Sequence, residues 1–384
     1  MKMNARERFL ETALFGKPDK IPLRLREPRP ATRMRWITEG MPANLSTAEY
    51  FGFKECALQS VNITYFPEEG FESKPSKESI NIGPIPPFEH KIIREDKRYR
   101  IWIDSLGITQ LGFVDDWKNG WMGFATRTFI DFPVKSYEDF LNIKRRYNPN
   151  DPKRYPKNWN ELVKSYRRRD YPLCATIRGP FWWTRDMMGL KRLLLNMRRE
   201  PKFVKEVMDF CAEFHIGVLH KALDEIELDY IVLSEDMAYK KGPMIGPSMM
   251  KEIMSSSYVD LVKFFRDHGV KVIFVDSDGN IEPLIPIWLK LGINGILPCE
   301  VAAGMDVVKL GKKYPGLIMM GGIDKRELSK DIEAIKKEVT YKVPPLIKRR
   351  GYFPGVDHAE PPDIPLKNFE YFVSLLKDLC GWKN

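Results

Sequence analysis

The sequence predicts a (β/α)8 barrel, in which eight parallel strands alternate with helices around a closed sheet. Short apolar segments alternate with long amphipathic stretches along the chain, which is typical of consecutive βα units. The later apolar segments, such as KVIFV, GINGIL and GLIMM, are uninterrupted, as expected of strands covered on both faces. A length of 384 residues lies within the range of one barrel domain, so we expect a single domain over residues 1–384.

Eight segments are predicted as the barrel strands. They are Ile21–Arg26, Ala57–Thr64, Leu173–Arg178, Asp229–Glu235, Lys271–Ser277, Ile293–Glu300, Leu317–Asp324 and Gly351–His358. Amphipathic helices are predicted between them, and the last one, LKNFEYFVSLLKDLCG, ends at a glycine that favours a helix C-terminus.

Two regions depart from this alternation. Residues 86–132 contain apolar and polar residues in alternation around the turn D-S-L-G, which predicts an inserted antiparallel hairpin. The aromatic, Gly-rich stretch after it is typical of a lid over the barrel mouth, and equally of a packed hairpin without a functional role. Residues 144–170 are rich in Lys and Arg and interrupted by Pro, which predicts a basic surface excursion.

The composition narrows the class of protein. No run of 18 apolar residues occurs, so we expect no membrane span, and the charged N-terminal stretch lacks the apolar run of a signal peptide. The five cysteines are scattered without a CxxC pair, which favours reduced thiols in the cytoplasm. The net charge of +10 fits either an anionic ligand or a solvated basic surface, and no nucleic-acid-binding motif accompanies it.

Acidic residues follow five of the predicted strands, at the ends where a barrel carries its active site. They are Glu235 and Asp236, Asp276 and Asp278, Glu300, Asp324, and Asp357 beside His358. The C-terminal ends of barrel strands converge on one face, so these carboxylates would repel one another. We therefore expect a metal cation, a proton shared between carboxyls or a cationic substrate to offset the charge.

A metal ion is the simplest of these solutions. Asp276 and Asp278 leave the fifth strand together, Glu300 ends the sixth strand and His358 ends the eighth. This mixed oxygen and nitrogen donor set favours zinc or another divalent transition metal over calcium. The competing interpretation of D-S-D-G-N is an Asx-rich turn that caps the next helix. His215, His220 and His268 lie in helical surroundings and are interpreted as structural.

The third strand is followed by R-G-P-F-W-W-T-R-D. Gly179 and Pro180 predict an abrupt turn, which would bring aromatic side chains to the mouth. Trp182 could form one wall of a flat pocket, in which Arg178 would bind a carboxylate. The alternative is a hydrophobic plug between the barrel and its helices, and Trp183 is expected in the core.

Six segments together resemble the uroporphyrinogen decarboxylase superfamily, which includes corrinoid-linked methyltransferases. They are RERFLETALFGKPDKIPL, RGPFWWTRDMMG, LSEDMAYKKGPMIGPSMM, FVDSDGNIEPLIP, MGGIDKREL and GYFPGVDHAEPPDIPLKNFEYFV. The likeness covers nearly the whole chain. In the decarboxylase branch a substrate-binding motif begins like P-x-W-x-M-R-Q-A-G-R, and PLRLREPRP matches it only through Arg26 and Arg29. W-W-T-R-D stands where that branch has a tyrosine, while His358 falls on the histidine of its terminal G-H-G motif.

The methyltransferase branch has the metal motif H-x-C-G-N after its fifth strand, which aligns with VDSDGN. The resemblance puts Asp276 in the histidine position, Asp278 in the first cysteine position and His358 in that of the later cysteine. It thus implies that the metal-binding positions are retained with a ligand set that is richer in oxygen, and such a set suits a harder Lewis acid.

From the resemblance we expect a demethylating methyltransferase that passes a methyl group to Co(I) of a corrinoid (cobalamin) protein. The substrate would be a small methylated molecule. Arg178, Trp182 and Arg26 favour a methoxylated aromatic acid, and methylamines and thioethers remain open. Glu235, Asp236 and His358 are the expected catalytic residues, with Glu235 or Asp236 protonating the leaving group. No segment beyond the barrel is available for the corrinoid, so it is expected on a separate protein. A homodimer, a metal-assisted decarboxylase or lyase, and a non-enzymatic metabolite-binding barrel remain open.

Overall fold

The computed structural model describes residues 2–67, 78–118 and 125–383. Its strands are β1 (Val61–Asn62), β2 (Thr64–Tyr65), β3 (Ile80–Asn81), β4 (Lys91–Glu95), β5 (Tyr99–Ile103), β6 (Thr109–Phe113), β7 (Thr128–Asp131), β8 (Leu173–Arg178), β9 (Tyr230–Ser234), β10 (Ala238–Tyr239), β11 (Gly242–Pro243), β12 (Val272–Asp276), β13 (Gly295–Leu297), β14 (Ile318–Met320) and β15 (Tyr352–Phe353).

The helices lie between and around these strands. They are α1 (Ala5–Ala13), α2 (Pro30–Thr38), α3 (Thr47–Tyr50), α4 (Phe53–Cys56), α5 (Val114–Lys118), α6 (Tyr137–Lys144), α7 (Trp159–Arg167), α8 (Pro180–Met188), α9 (Leu190–Arg199), α10 (Pro201–Glu225), α11 (Pro247–Asp267), α12 (Ile285–Leu291), α13 (Val307–Lys313), α14 (Lys325–Leu328), α15 (Ile332–Arg349) and α16 (Leu366–Leu379).

A parallel sheet of seven strands, in the order β1-β8-β9-β12-β13-β14-β15, forms the centre of the fold. The strand order follows the chain order, as it does in a barrel built from successive βα units. Helices such as α10, α11 and α15 connect the strands and cover the outside of the sheet. The predicted barrel-type fold is therefore confirmed.

The first predicted strand closes the sheet, but it is much shorter than predicted. Leu23 N–H donates to Cys56 O at 2.8 Å, and Arg24 N–H donates to Pro354 O at 2.7 Å. The segment 21–26 thereby lies between the chain before β1 and the chain after β15, the two edge strands. Its strand pairing is limited to one bridge, between Leu23 and Ala57. Pro22 has no N–H to donate, which limits pairing at the start of this segment. The second predicted strand, Ala57–Thr64, is likewise shorter in the sheet, where only β1 (Val61–Asn62) pairs with β8.

Alternate residues of the central strands face the inside of the barrel. Cys174, Tyr230 and Val272 pair across β8, β9 and β12, and they belong to one buried cluster together with Phe9 of α1. The ring of Phe9 lies 4.8 Å from that of Tyr230 at the start of β9, so α1 closes the barrel at the N-terminal ends of the strands. Successive side chains alternate across a strand, so Arg178, Ser234 and Asp276 at the opposite ends also face inward.

The predicted insertion at 86–132 includes a four-stranded antiparallel sheet in the order β4-β5-β6-β7. Asp104 is fully buried at the turn between β5 and β6, where it accepts hydrogen bonds from the N–H groups of Leu106 and Ile108. Residues 119–124 of the aromatic stretch lie outside the described ranges, so its role as a lid stays a prediction. In the basic segment 144–170, Arg154 is buried and donates to the carbonyl groups of Asn81 and Gly83.

Within the described ranges, none of the helices is long and apolar enough to span a membrane.

Candidate active site

The mouth of the barrel has a floor formed by three strands in register. Arg178 pairs with Ser234 across β8 and β9, and Ser234 pairs with Asp276 across β9 and β12. These three inward-facing residues are the last of their strands, where a barrel places its reactive groups.

Three of the predicted acids meet above this floor. The Asp278 N–H donates to Asp236 Oδ1 at 3.2 Å, and Asp276 interacts electrostatically with both residues. Burial raises the pKa of Asp276 to about 7, and the neighbouring charges of Asp236 and Asp278 add to the effect. Burial, followed by the charge of Asp278, also raises the pKa of Asp236. The carboxylate repulsion predicted from the sequence is thus concentrated on these three residues.

His358 pairs with one member of this acid cluster. Its Nε2 lies 3.3 Å from Asp278 Oδ2, with 31% of the His358 side chain exposed. Burial alone would raise the pKa of Asp278, but the hydrogen bond and charge of His358, with the charges of Lys325 and Arg26, bring it below the usual value. The eighth predicted strand and the loop after the fifth therefore meet at the mouth, as predicted.

Arginines from the closing segment face the acids. Arg24 donates to Val356 O at 2.9 Å, and burial lowers the pKa of Arg24 to about 10. The charges of Arg24 and the exposed Arg26 both lower the pKa of Asp276. Sequence reasoning selected Arg26 and missed Arg24. The spacing in P-L-R-L-R was the available signal, because residues two apart in an extended segment point the same way.

Glu235 lies behind the floor and not at the mouth. It follows Ser234, so its side chain points outward from the barrel, where it is fully buried. Its Oε2 accepts the N–H groups of Phe181 at 2.9 Å and Trp182 at 3.1 Å, and the hydroxyl of Tyr258 donates to Oε1. Burial raises the pKa of Glu235 to about 7, although these hydrogen bonds favour the carboxylate. Glu235 thus caps the first turn of α8.

The remaining predicted acids hold loops in place. Glu300 Oε2 accepts the N–H of Gly279 at 2.8 Å, which fixes the turn after Asp278. Asp357 is fully buried and accepts the N–H of Val301 at 2.9 Å. Asp324 caps α14 and pairs with Arg326. These contacts explain why acids after five strands do not all crowd into one site.

Arg178 and Trp182 lie together, as predicted, but Arg178 also contacts an acid. Its guanidinium carbon is 3.8 Å from the Trp182 ring centroid, and its Nε is 3.5 Å from Asp186 Oδ2. A cavity of about 370 Å³ opens beside Arg178 and is also lined by Thr64, Phe66 and Ser234. Trp183, in contrast, is only 1% exposed and belongs to the core.

Glu360 is a residue that sequence reasoning missed. It is 1% exposed, and neither carboxylate oxygen has a hydrogen-bond partner among the described residues. Burial raises the pKa of Glu360, while the nearby charges of Arg26, Arg24 and His358 favour its ionised form. A buried acid without hydrogen bonds is uncommon in a structural role. Its position two residues after His358 was the only signal in the sequence.

The donor atoms at the mouth fit a divalent metal ion in type. Carboxylate oxygens of Asp276 and Asp278 and an imidazole nitrogen of His358 form a set that zinc and related ions accept. No three acidic, histidine or cysteine ligand atoms at the mouth lie within 4.8 Å of one another among the described residues. Binding a metal there would therefore require side-chain rotations. Glu300, the fourth predicted ligand, accepts the N–H of Gly279 with Oε2, so it could offer only Oε1 to an ion without losing that hydrogen bond.

One solved structure shares this fold over nearly the whole chain, and one family model matches more than half of the chain. A methyltransferase from Methanosarcina mazei shares the fold with a TM-score of 0.56 and 15% identity, over 98% of this chain and 99% of the other. A B12-independent methionine synthase from Shewanella sp. W3-18-1, in complex with selenomethionine, gives a TM-score of 0.35 at 12% identity, over 58% of this chain and 65% of the other. No curated protein sequence matches the chain. The family model described as uroporphyrinogen decarboxylase matches residues 126–379, and the chain therefore belongs to the uroporphyrinogen decarboxylase family.

Proposed function

We propose that the chain is a methyltransferase that takes a methyl group from a small methylated substrate and passes it to Co(I) of a corrinoid on a separate protein. The observation that carries the proposal is the association of Asp276, Asp278 and His358, which stand at the positions that resemble the metal-binding positions of corrinoid-linked methyltransferases. Asp278 and His358 are 3.3 Å apart, and the charge of Asp278 contributes to the raised pKa of Asp276. The shared fold with a methyltransferase supports the same function.

In this proposal Asp276, Asp278 and His358 hold a divalent metal, with zinc favoured by the mixed donor set. A bound divalent ion would polarise the heteroatom that carries the methyl group. Asp236 then has a separate role. Burial and the charge of Asp278 raise the pKa of Asp236, and its carboxyl group is the candidate donor of a proton to the heteroatom as the bond to the methyl carbon breaks and the electron pair stays behind. Glu235 is reassigned from catalysis to positioning, because it is buried behind the floor and caps α8.

The substrate class follows from the cavity beside Arg178. A flat ring can lie near Phe66 and Trp182, and the hydroxyl groups of Thr64 and Ser234 offer polar contacts. Arg178 and Arg26 are the candidate partners for a carboxylate, since guanidinium groups bind carboxylates through two parallel hydrogen bonds. A methoxylated aromatic acid satisfies these requirements.

The methyl acceptor must come from outside the chain. The groups that the described residues bring to the mouth are carboxylates, an imidazole, guanidiniums and the hydroxyls of Thr64 and Ser234, and none of them is a strong enough nucleophile to attack an unactivated methyl ether. Cys299 is buried beside the mouth, and burial raises the pKa of its thiol to about 12, so it is not activated as a thiolate. A reduced corrinoid, bound to a partner protein, is the acceptor that the family resemblance offers.

A decarboxylase of a small carboxylic acid is the second candidate. The observation in its favour is the set of arginines facing the acid cluster, Arg24, Arg26 and Arg29, which interact electrostatically with Asp276, Asp278 and Glu360. Such a set suits a substrate with more than one carboxylate.

The deciding experiment mixes the metal-loaded protein with methoxylated aromatic acids and free Co(I) cobalamin, and follows methylcobalamin by absorbance. We expect methyl transfer that Asp278→Asn abolishes and that Asp267→Asn, an exposed acid far from the mouth, leaves unchanged. The proposal is rejected if no methylcobalamin forms with any methoxylated acid. Release of labelled carbon dioxide from a carboxylic acid without cobalamin would establish the decarboxylase instead.

A further inference from the structure

A second group of metal-ligating side chains lies at the other end of the barrel. His220 and Asp224 occupy one face of α10, four residues apart, and His268 directly follows α11. Each of the three residues offers one ligand atom, and these three atoms all lie within 4.8 Å of one another. Among the residues that the structure describes, no other group of three or more His, Cys, Asp or Glu residues meets this distance. We call this group the α10–α11 cluster.

The cluster is separate from the mouth. His268 precedes β12, whereas Asp276 ends the same strand, so the length of β12 lies between the two sites. Five strand residues span roughly 16 Å. The cluster also lies on the outside of the barrel, with 61% of the His220 side chain and 54% of the Asp224 side chain exposed.

A backbone carbonyl orients the ring of His268 so that its second nitrogen faces Asp224. Its Nδ1 lies 2.8 Å from Phe264 O, and since a carbonyl oxygen only accepts, Nδ1 must carry a proton. In the neutral ring Nε2 is then a lone-pair acceptor, and this atom lies 3.4 Å from Asp224 Oδ1. A lone-pair nitrogen and a carboxylate oxygen at this separation leave room for a cation that bridges them.

We propose that His220, Asp224 and His268 bind a divalent transition-metal ion of the zinc, nickel or copper class. His268 Nε2 lies 3.4 Å from Asp224 Oδ1, and His220 Nδ1 lies 3.0 Å from Asp224 Oδ2, so both distances fit one ion that Asp224 binds through its two oxygens. Bonds of about 2.0–2.1 Å at angles between 90° and 109° put neighbouring ligand atoms about 3–3.4 Å apart. A histidine ligand that donates its other N–H to a backbone carbonyl is the usual arrangement around such ions.

The site would join the C-terminal ends of two long helices. Asp224 lies in the last turn of α10, and His268 caps α11, so a shared ion would link them. Three protein ligands leave at least one position to water, and the exposure of the cluster allows exchange with solution. Ion binding to the folded state alone would also raise its stability.

The test uses untagged full-length protein stripped of metal with a chelator, in an Asp278→Asn background so that the mouth does not contribute. Zinc chloride alone is titrated by calorimetry. We expect about one equivalent to bind, with affinity reduced at least tenfold by His268→Gln and by Asp224→Asn, because each removes a ligand and the loss of an outer-shell partner alone typically costs about 10-fold to 100-fold. Asp267→Asn removes an exposed acid next to His268 but outside the cluster, and it should leave the affinity unchanged.

A second measurement distinguishes a bound ion from a protonated histidine. With zinc at pH 7.5, where a solvated imidazole is neutral, the unfolding temperature of the background protein should rise with zinc concentration, and His268→Gln should remove the rise. Equal zinc affinity and equal stabilisation in His268→Gln, Asp224→Asn and the background protein would overturn the proposal. A failed methyl-transfer assay would not affect it, since the two sites are tested independently.

Discussion

Gly179 leaves the space that the carboxyl group of Glu235 occupies. Gly179 is the N-cap of α8 and has no side chain to cap the helix itself. A Cβ built there would lie 2.7 Å from Glu235 Cγ and nearer still to the carboxyl group, which accepts the N–H groups of Phe181 and Trp182. The glycine and the distant glutamate together therefore do what a Ser or Asp N-cap does locally.

This relationship predicts that Gly179→Ala destabilises the protein. The added methyl must displace Glu235 and break its contacts with α8, and overpacking of this kind costs roughly 1–3 kcal/mol. Gly246→Ala is the matched control, because Gly246 is also an N-cap followed by proline and has no atom within 4 Å of its Cβ position. Urea denaturation of both variants measures the difference. Equal free energies of unfolding would contradict the packing argument.

Metal binding at the mouth should depend on both aspartates. Asp276→Ala and Asp278→Ala are each expected to lower the bound metal at the mouth from about one equivalent to less than a tenth, because both supply proposed ligands. Both residues are partly exposed at the end of a strand, so the variants should keep the circular dichroism spectrum of the parent. Elemental analysis is done in a His268→Gln background, which separates this metal from the α10–α11 cluster. Unchanged metal content, or loss of the folded spectrum, would favour the Asx-turn interpretation.

Binding measurements should show whether Arg178 binds the substrate carboxylate or only pairs with Asp186. Arg178→Ala is expected to lower the affinity for a methoxylated aromatic acid about 10-fold to 150-fold more than it lowers the affinity for the corresponding neutral amide. The reason is that charge-assisted hydrogen bonds contribute roughly 1.5–3 kcal/mol. Asp186→Asn removes the ion pair at 3.5 Å but keeps the guanidinium, so its effect on the two ligands should be similar. Calorimetry with both ligands tests this. Equal losses for acid and amide in Arg178→Ala would assign Arg178 to the loop alone.

His215 should make the protein sensitive to acid. Burial lowers the pKa of His215 to about 3, below its ordinary value of 6.5, in a cluster with Trp183 and Phe214. The unfolded state therefore binds a proton that the folded state excludes, and stability is lost as the pH falls from about 6.5 towards 3. Between pH 6.5 and 5 the loss should approach about 2 kcal/mol, at about 1.4 kcal/mol per pH unit. Urea unfolding of the parent and of His215→Leu measures it, and the leucine variant should lose less over this range. An identical pH dependence in both proteins would exclude this role.

The order of the strands and the residues at their ends could be predicted from the sequence. The apolar segments that became β12, β13 and β14 are buried on both faces, so they appear as continuous apolar runs in the chain. The acids after these segments were therefore correctly placed near strand ends. The first two strands were predicted to be longer than they are. Their pairing depends on partners distant in sequence, and Pro22 cannot donate a hydrogen bond.

The sequence by itself determined which residues are available at the strand ends, since local apolar patterns fix where each strand runs. Only the tertiary structure decided which of them act together. Ser234 and Glu235 are neighbours in the chain, yet the strand's alternation turns Ser234 towards the cavity and Glu235 towards α8. Closure of the barrel brings Arg24 from the first segment into electrostatic interaction with Asp276 and with Glu360, which lies beyond the last strand. Such contacts depend on strand register and closure, which no local pattern encodes.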